Sequence, residues 1–413
     1  MRNMNRKAFL LVMALALVLV VAAIASSCGS TTTTTAASAS STTAAPASTT
    51  TAPPASATTA APAGTIKIGY SGPLTGNGAS AGQDYLNGIK LYAEKINAAG
   101  GINGQKVEIM AEDDVMDPKN STTVAQKLVD AKVVAVLGPV TSGTTIPTLK
   151  IYGDAGIPQL TPASNPDVTA QDVKSVFRVD PDDYAQGGNI GNYAFATLGA
   201  KTVAIIDDKS AFGQGVAEQF QKAFEAAGGK TTSVNGINPG DVDFHAVLTK
   251  VASESPDLVY YGGVAAEAGL IVKQMREAGM KQTFFVPDQC FGPEFIKIGG
   301  TASEGAYISY QGPPLDSTPD LKAFTTEFKT KYGAEPFVGQ FGYVSMQLIE
   351  AAIKTAGKAD PVAITTALHG NTYPTILGNY SFEANGAMKA GGTIYIYQVK
   401  SGVDAYIGKS EGK

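Results

Sequence analysis

The chain has 413 residues, of which 44% are hydrophobic and 16% are charged, as in soluble globular proteins. Its formal net charge of −5 gives it no general attraction for nucleic acid or for an anionic membrane surface. Two cysteines and two histidines leave little material for a disulfide framework or a histidine-based metal site, and the length favours two domains plus a non-globular part.

The N-terminus has the pattern of an export signal. A basic start precedes an apolar run over residues 8–25 and then Ser26-Ser27-Cys28-Gly29. Small residues just before a cysteine predict a lipoprotein signal peptide over residues 1–28, with Cys28 as the lipidated first residue of the mature chain. The alternative is an uncleaved anchor helix, because the apolar run is long enough to span a membrane. Both interpretations place the rest of the chain outside the cytoplasmic membrane.

Residues 29–63 are almost entirely Ser, Thr, Ala and Pro. Such a segment buries too little apolar surface to offset the entropy of ordering it, so we predict a disordered tether.

From residue 65 onward the pattern predicts alternating strands and helices. The first set comprises strands at 66–69, 107–110 and 133–137, a helix whose apolar positions are Tyr85, Ile89, Tyr92 and Ile96, and a helix that begins at Asp117-Pro118. The alternation restarts near residue 180, with strands at 203–206, 258–261 and 284–286 and helices at 213–227 and 267–278. Helices at 321–332, 342–355 and 361–368 and strands at 380–382 and 393–399 follow. Two such sets predict two α/β lobes with parallel sheets.

Two motifs between these elements suggest a cofactor site and a metal site, but their residue patterns do not match those of such sites. Gly76, Gly78 and Gly82 have the spacing G-x-G-x-x-x-G, and residues 70–75 separate them from the strand, whereas a dinucleotide fingerprint needs a tight turn. The acidic residues from Glu112 to Asp117 lack the alternating ligands and the turn glycine of a calcium loop. We therefore expect no cofactor and no metal, and we interpret the acids as a strand end and a helix cap.

Ser142 follows the strand at 133–137 and begins a helix. A hydroxyl and free N–H groups at a helix start bind carboxylates well, although simple helix capping explains the same residue. No G-x-S-x-G elbow surrounds Ser142 and neither histidine offers a base, so we do not expect an enzyme.

Several fragments resemble the type I periplasmic binding proteins, in particular the leucine/isoleucine/valine-binding group. They are Ile66-Lys67-Ile68-Gly69, Ser71-Gly72-Pro73, Ile96-Asn97-Ala98-Ala99-Gly100-Gly101-Ile102-Asn103-Gly104, Asp113-Asp114 with Asp117-Pro118, Leu160-Thr161-Pro162-Ala163-Ser164, Asp207-Asp208-Lys209, Phe212-Gly213-Gln214-Gly215, Asp243-Phe244 and Val259-Tyr260-Tyr261-Gly262-Gly263. The resemblance runs from about Thr65 to the C-terminus.

The resemblance implies two doubly wound, Rossmann-like lobes that are joined by a three-strand hinge and close over a ligand. Lobe 1 would comprise residues 64–182 and 311–391, and lobe 2 residues 183–310 and 392–413. The chain would be an extracytoplasmic, lipid-anchored component of an ABC importer. It would deliver an amino acid, possibly branched-chain, or a related amide or aromatic acid to the permease subunits.

The resemblance also implies a binding site. The hydroxyl of Ser142 and the N–H groups of Ala163 and Asn165 match the positions that meet the ligand carboxylate, and Asp288 matches the acid that meets the ligand ammonium. Phe212 and Val264 stand where the branched-chain binder has tyrosines, which predicts a drier pocket.

Two other functions fit parts of the pattern. A sensory module for amides or aromatic acids shares the fold, but a receptor would need a further membrane span and a signalling domain. An enzyme with a nucleotide cofactor is the second alternative, and it would show nicotinamide absorbance on titration.

Overall fold

The computed structural model describes residues 64–389 and 392–410. The predicted signal peptide, Cys28 and the predicted tether lie outside this described part. Within it, none of the helices combines the length and the apolar character that crossing a membrane requires.

The first sheet is parallel and has the strand order β2-β1-β3-β4-β5. Its strands are β1 (Ile66–Gly72), β2 (Val107–Asp113), β3 (Ala135–Leu137), β4 (Gln159–Thr161) and β5 (Val176–Arg178). The helices that alternate with them are α1 (Ala79–Ala98), α2 (Pro118–Asp130), α3 (Ser142–Thr145), α4 (Leu149–Asp154) and α5 (Asp167–Ala170). Strands β1 and β3 are almost wholly buried, as expected of central parallel strands that are covered on both faces.

The second sheet has the order β14-β13-β10-β9-β8-β6-β7. Its first part contains α6 (Asp183–Ala196), β6 (Thr202–Asp207), α7 (Ala211–Ala226), β7 (Lys230–Gly236), α8 (His245–Glu254), β8 (Leu258–Gly262), α9 (Ala265–Glu277), β9 (Thr283–Val286), α10 (Pro293–Gly299) and β10 (Tyr307–Tyr310). These five strands are mutually parallel.

The chain then returns to the first sheet before it ends in the second. The returning segment forms α11 (Pro319–Tyr332), α12 (Gly339–Ala356), α13 (Pro361–Gly370) and the small hairpin of β11 (Tyr373–Thr375) and β12 (Gly378–Tyr380). Strands β13 (Ile394–Lys400) and β14 (Val403–Ser410) add an antiparallel edge to the second sheet. We call the first sheet with α1–α5 and α11–α13 the first lobe, and the second sheet with α6–α10 the second lobe.

Helix α12 packs closely on α1 and completes the first lobe. A Cβ atom on Gly88 would lie 1.8 Å from the carbonyl oxygen of Gly339, so the two backbones approach more closely than a side chain would permit. Oδ2 of the buried Asp84 on α1 accepts hydrogen bonds from the N–H groups of Val338 (2.8 Å) and Gly339 (2.6 Å) at the start of α12. Of the four apolar positions that predicted α1, Tyr85, Ile89 and Ile96 are buried, while Tyr92 is partly buried.

The chain crosses between the lobes three times. The crossings follow β5, β10 and β12 in sequence. Three connections of this kind permit a hinge motion in which the lobes move as units while the crossing segments absorb the change. The fold is thus the predicted pair of doubly wound α/β lobes.

Candidate ligand-binding site

The strand order reverses once in each lobe. In the first lobe β1 lies between β2 and β3, and in the second lobe β6 lies between β7 and β8. Ligands of open α/β sheets bind beyond the carboxyl ends of the strands at such reversals, because the connections diverge there and leave a crevice. The two reversals therefore predict where a site lies in each lobe.

Two cavities lie between segments of the two lobes, and we call them cavity A and cavity B. Cavity A measures about 720 Å³. Cavity B, about 20 Å³, shares Met116 and Val264 with it. On the side of the first lobe, cavity A is lined by Asn77, Val115, Met116, Asp117, Pro118, Thr141 and Gly143, which follow β1, β2 and β3. On the side of the second lobe, it is lined by Asp208, Lys209, Ser210, Ala211, Phe212, Pro239, Gly240, Val264 and Glu267, which follow β6, β7 and β8. Both reversals thus face the same space.

The structure brings Ser142 and Asn165 together. Ser142 is buried at the start of α3, and its Oγ accepts a hydrogen bond from the N–H of Asn165 at 3.2 Å. The N–H of Ala163 donates to Oγ1 of Thr161 at 3.0 Å. Both N–H groups that the resemblance assigns to a ligand carboxylate therefore already have a partner in the protein.

The side chain of Asn165 joins the two lobes. Its Nδ2 atom donates to the carbonyl oxygen of Ala211, the first residue of α7 in the second lobe, at 2.7 Å. The same side chain accepts a hydrogen bond from the N–H of Asp167 at 2.9 Å, which fixes its orientation. The amide of Asn165 therefore reaches across the cleft.

Phe212 and Val264 both line cavity A. Phe212 lies in the first turn of α7 and is only 4% exposed, while Val264 precedes α9. Cavity A is not lined by apolar residues alone, because Asp208 and Glu267 also line it.

Asp288 lies on the wall of cavity B, in a short 3₁₀ turn after β9. Its Oδ1 atom accepts a hydrogen bond from Nε2 of Gln186 at 2.7 Å. Burial raises the pKa of Asp288 to about 6, against the opposing effect of hydrogen bonds from Gln186 and Gln311. A cationic group beside this carboxyl group would favour its ionised form.

Several cleft residues were missed at the sequence level. Met116 lines both cavities, and Asp208, which the sequence analysis names only as part of a family fragment, lines cavity A. Glu267 was placed only as the start of a helix. Each of the three residues follows a strand next to a reversal of strand order. Knowledge of the strand order would therefore have predicted that they lie at the site.

The glycines and acids that suggested cofactors have structural roles. Gly78 adopts a left-handed conformation (φ 75°) at the N-cap of α1, and a Cβ atom on Gly82 would lie 1.7 Å from the carbonyl oxygen of Pro73. Asp117 caps α2 by accepting from the N–H of Asn120 at 2.7 Å. Over residues 64–389 and 392–410, no group of three or more His, Cys, Asp or Glu side chains is arranged to hold a metal ion.

Residues 65–404 match the family model described as periplasmic binding protein. The chain belongs to this family. A leucine-, isoleucine-, valine-, threonine- and alanine-binding protein of Pseudomonas aeruginosa is 36% identical over 329 residues, which cover 79% of this chain and 87% of that protein.

Solved structures of other periplasmic binding proteins have the same fold. A leucine binding protein from Thermotoga maritima superposes with a TM-score of 0.79 at 29% identity, over 84% of this chain and 99% of that one. The substrate binding protein of a branched-chain amino acid transporter from Streptococcus pneumoniae, solved with isoleucine, gives 0.76 at 28% identity, over 83% and 99% of the two chains. The predicted family, fold and two-lobe architecture are thus confirmed.

Proposed function

We propose that this periplasmic binding protein captures an amino acid or a similar small molecule between its lobes and delivers it to an ABC importer. The observation that carries the proposal is the cleft itself, in which both reversals of strand order open on one cavity of about 720 Å³. A volume of this size lies within the range of about 300–1,000 Å³ that small-molecule sites have. The names of the relatives, which bind leucine, isoleucine and other amino acids, support the ligand class.

The site residues are part of the proposal. The hydroxyl of Ser142 and the neighbouring N–H groups would receive a carboxylate, and the ligand would replace the 3.2 Å hydrogen bond between Asn165 and Ser142. The carboxylate of Asp288 would receive the ammonium group on the opposite wall. Phe212 and Val264 would contact the apolar part of the ligand.

Closure of the cleft provides the mechanism. The ligand would dock on the first lobe, residues 64–182 and 311–391, and the second lobe, residues 183–310 and 392–413, would close over it. A ligand favours the closed state only by as much as it binds that state more tightly than the open one. The permease would then recognise the closed form.

Two further parts of the proposal concern location and chemistry. We propose that a lipid on Cys28 anchors the protein to the membrane, and that residues 29–63 serve as the tether, which keeps the loaded protein at high local concentration near its permease. We also propose that the protein leaves its ligand chemically unaltered, because none of the described residues that line cavity A or cavity B is a histidine that could serve as a base.

A thermal-shift screen of the purified protein tests the proposal. A ligand at 100 times its dissociation constant adds about 2.7 kcal/mol to the free energy of unfolding, so an amino acid that binds should raise the melting temperature clearly. Mass spectrometry of the recovered ligand should return the mass that was added. The proposal fails if amino acids, amides and aromatic acids all leave the melting temperature unchanged, or if the recovered ligand has a new mass.

A further inference from the structure

Met116 and Val264 lie at the boundary between the two cleft cavities. Among the described residues, these two alone line both cavity A and cavity B. They come from opposite lobes, since Met116 follows β2 and Val264 follows β8. A Cβ atom on Gly78, which lines cavity B, would lie 2.3 Å from Cε of Met116, so the end of the methionine side chain reaches that cavity. The two residues therefore form a constriction between the cavities.

The backbone that carries Met116 is held in an unusual conformation. Val115 and Met116 have positive φ angles of 48° and 59°, which are rare outside glycine and rarer still for a β-branched residue such as valine. Oδ1 of Asp113 accepts a hydrogen bond from the N–H of Val115 at 2.9 Å, and Oδ1 of Asp114 accepts one from the N–H of Met116 at 3.0 Å. The hydroxyl of Ser71 in turn donates to Oδ2 of Asp114 at 3.0 Å. Such a conformation persists only where its surroundings fix it, so these contacts hold Met116 at the constriction.

Cavity B has room for one small group beside Asp288. Its volume of about 20 Å³ holds a single group the size of a water molecule, such as an ammonium group. Phe291 also lines cavity B, and its ring is stacked on the ring of Tyr310 with the centroids 3.9 Å apart. A methyl group on the ammonium nitrogen would need about as much space again. The stacked ring and the held methionine do not leave that space.

We infer that Met116 and Val264 admit only a primary amine to Asp288, so that the ligand is an amino acid whose amino group carries no substituent. This inference rests on the proposed function and adds a size limit at the ammonium end of the ligand. The side chain of the ligand lies in cavity A, which measures about 720 Å³ and includes Phe212 in its wall, so it accepts apolar side chains as large as those of leucine and phenylalanine. Selection at cavity B is therefore by the size of the amine, since an N-methyl group leaves the positive charge in place.

Calorimetric titration with L-leucine and L-phenylalanine, each beside its N-methyl form, tests the inference. We expect the unsubstituted amino acid to bind the wild-type protein at least tenfold more tightly than its N-methyl form, which corresponds to about 1.4 kcal/mol. If the two forms bind within threefold of each other, the inference is wrong and the proposed function stands. If neither leucine nor phenylalanine binds, the inference is also wrong, and the thermal-shift screen still decides the proposed function.

Variants of the two boundary residues then test whether the constriction causes the selection. Met116→Ala and Val264→Ala each widen it, so each should reduce the ratio of the two affinities to about threefold or less. Met116→Leu restores a side chain of similar volume and should restore a ratio of at least tenfold. The control is Met388→Ala, since Met388 lines neither cavity, and it should leave the ratio unchanged. Both affinities come from the same sample, so partial unfolding of a variant does not alter their ratio. A ratio that stays at the wild-type value in both Met116→Ala and Val264→Ala would overturn the inference.

Discussion

Removal of the Asn165 side chain should weaken ligand binding through the closure of the cleft. The hydrogen bond from Nδ2 of Asn165 to the carbonyl oxygen of Ala211 joins the lobes at 2.7 Å and exists only while the cleft is closed there. A hydrogen bond of this kind contributes about 0.5–1.5 kcal/mol net. Asn165→Ala should therefore lower the population of the closed state relative to the open state by a factor of about 2 to 13. The apparent affinity for ligand should fall by the same factor.

The assay combines calorimetric titration with stopped-flow measurement of ligand release. Because the bond acts after docking, most of the loss should lie in a faster dissociation rate rather than in slower association. Asn371→Ala is the matched control, since Nδ2 of Asn371 donates to the carbonyl oxygen of Ala367 at 3.0 Å within the first lobe. The control should lose stability without a change in affinity. Equal loss of affinity in both variants, or none in Asn165→Ala, would refute the role of this bond in closure.

Three other predictions concern packing, protonation and anchoring. Gly342→Ala should lower the free energy of unfolding by about 1–3 kcal/mol in urea unfolding. The new Cβ atom would lie 2.0 Å from the carbonyl oxygen of Tyr85. The control is Gly188→Ala, which has open space around it and should not destabilise the fold. Burial raises the pKa of Asp183 from 3.8 to about 8. Between these two values the folded state holds a proton that the unfolded state has lost, so the free energy of unfolding should fall as the pH rises from about 4 to about 8. Asp183→Asn should flatten that slope, and an unchanged slope would contradict the assignment. Cys28→Ala should abolish lipid labelling, whereas continued acyl labelling would exclude lipidation at Cys28.

The long elements were predictable from the sequence because their patterns are local. The helical spacing around Tyr85 and Ile89 predicted α1, and the Asp117-Pro118 pair predicted the start of α2 at the correct residue. The predicted strand at 133–137 is shorter in the structure, where β3 covers only Ala135–Leu137. Strands β4 and β5, at three residues each, gave no periodic signal and were not predicted.

The candidate site was only partly predictable, because it depends on contacts between distant segments. Ser142 and Asn165 are 23 residues apart and meet through a single hydrogen bond. The bond from Asn165 to Ala211 follows from how the lobes pack, and the bond from Gly240 to Glu267 follows from how two segments of the second lobe meet. No local sequence pattern encodes either contact. The family resemblance predicted the positions of the site residues. The structure adds which of their polar groups already have a hydrogen-bond partner in the protein.

Calorimetric titration of Ser142→Ala and Asp288→Asn tests the binding site most directly. A hydrogen bond to a charged group contributes roughly 1.5–3 kcal/mol, so Ser142→Ala should weaken the binding of an amino acid by about one to two decades. Asp288→Asn should weaken it at least as much, because the ammonium group would then be buried without a counter-charge. A ligand that lacks the amine should respond to Ser142→Ala and hardly to Asp288→Asn. If neither substitution changes the affinity of an amino acid that binds the wild-type protein by more than threefold, the ligand does not lie between Ser142 and Asp288, and the account of the cleft is wrong.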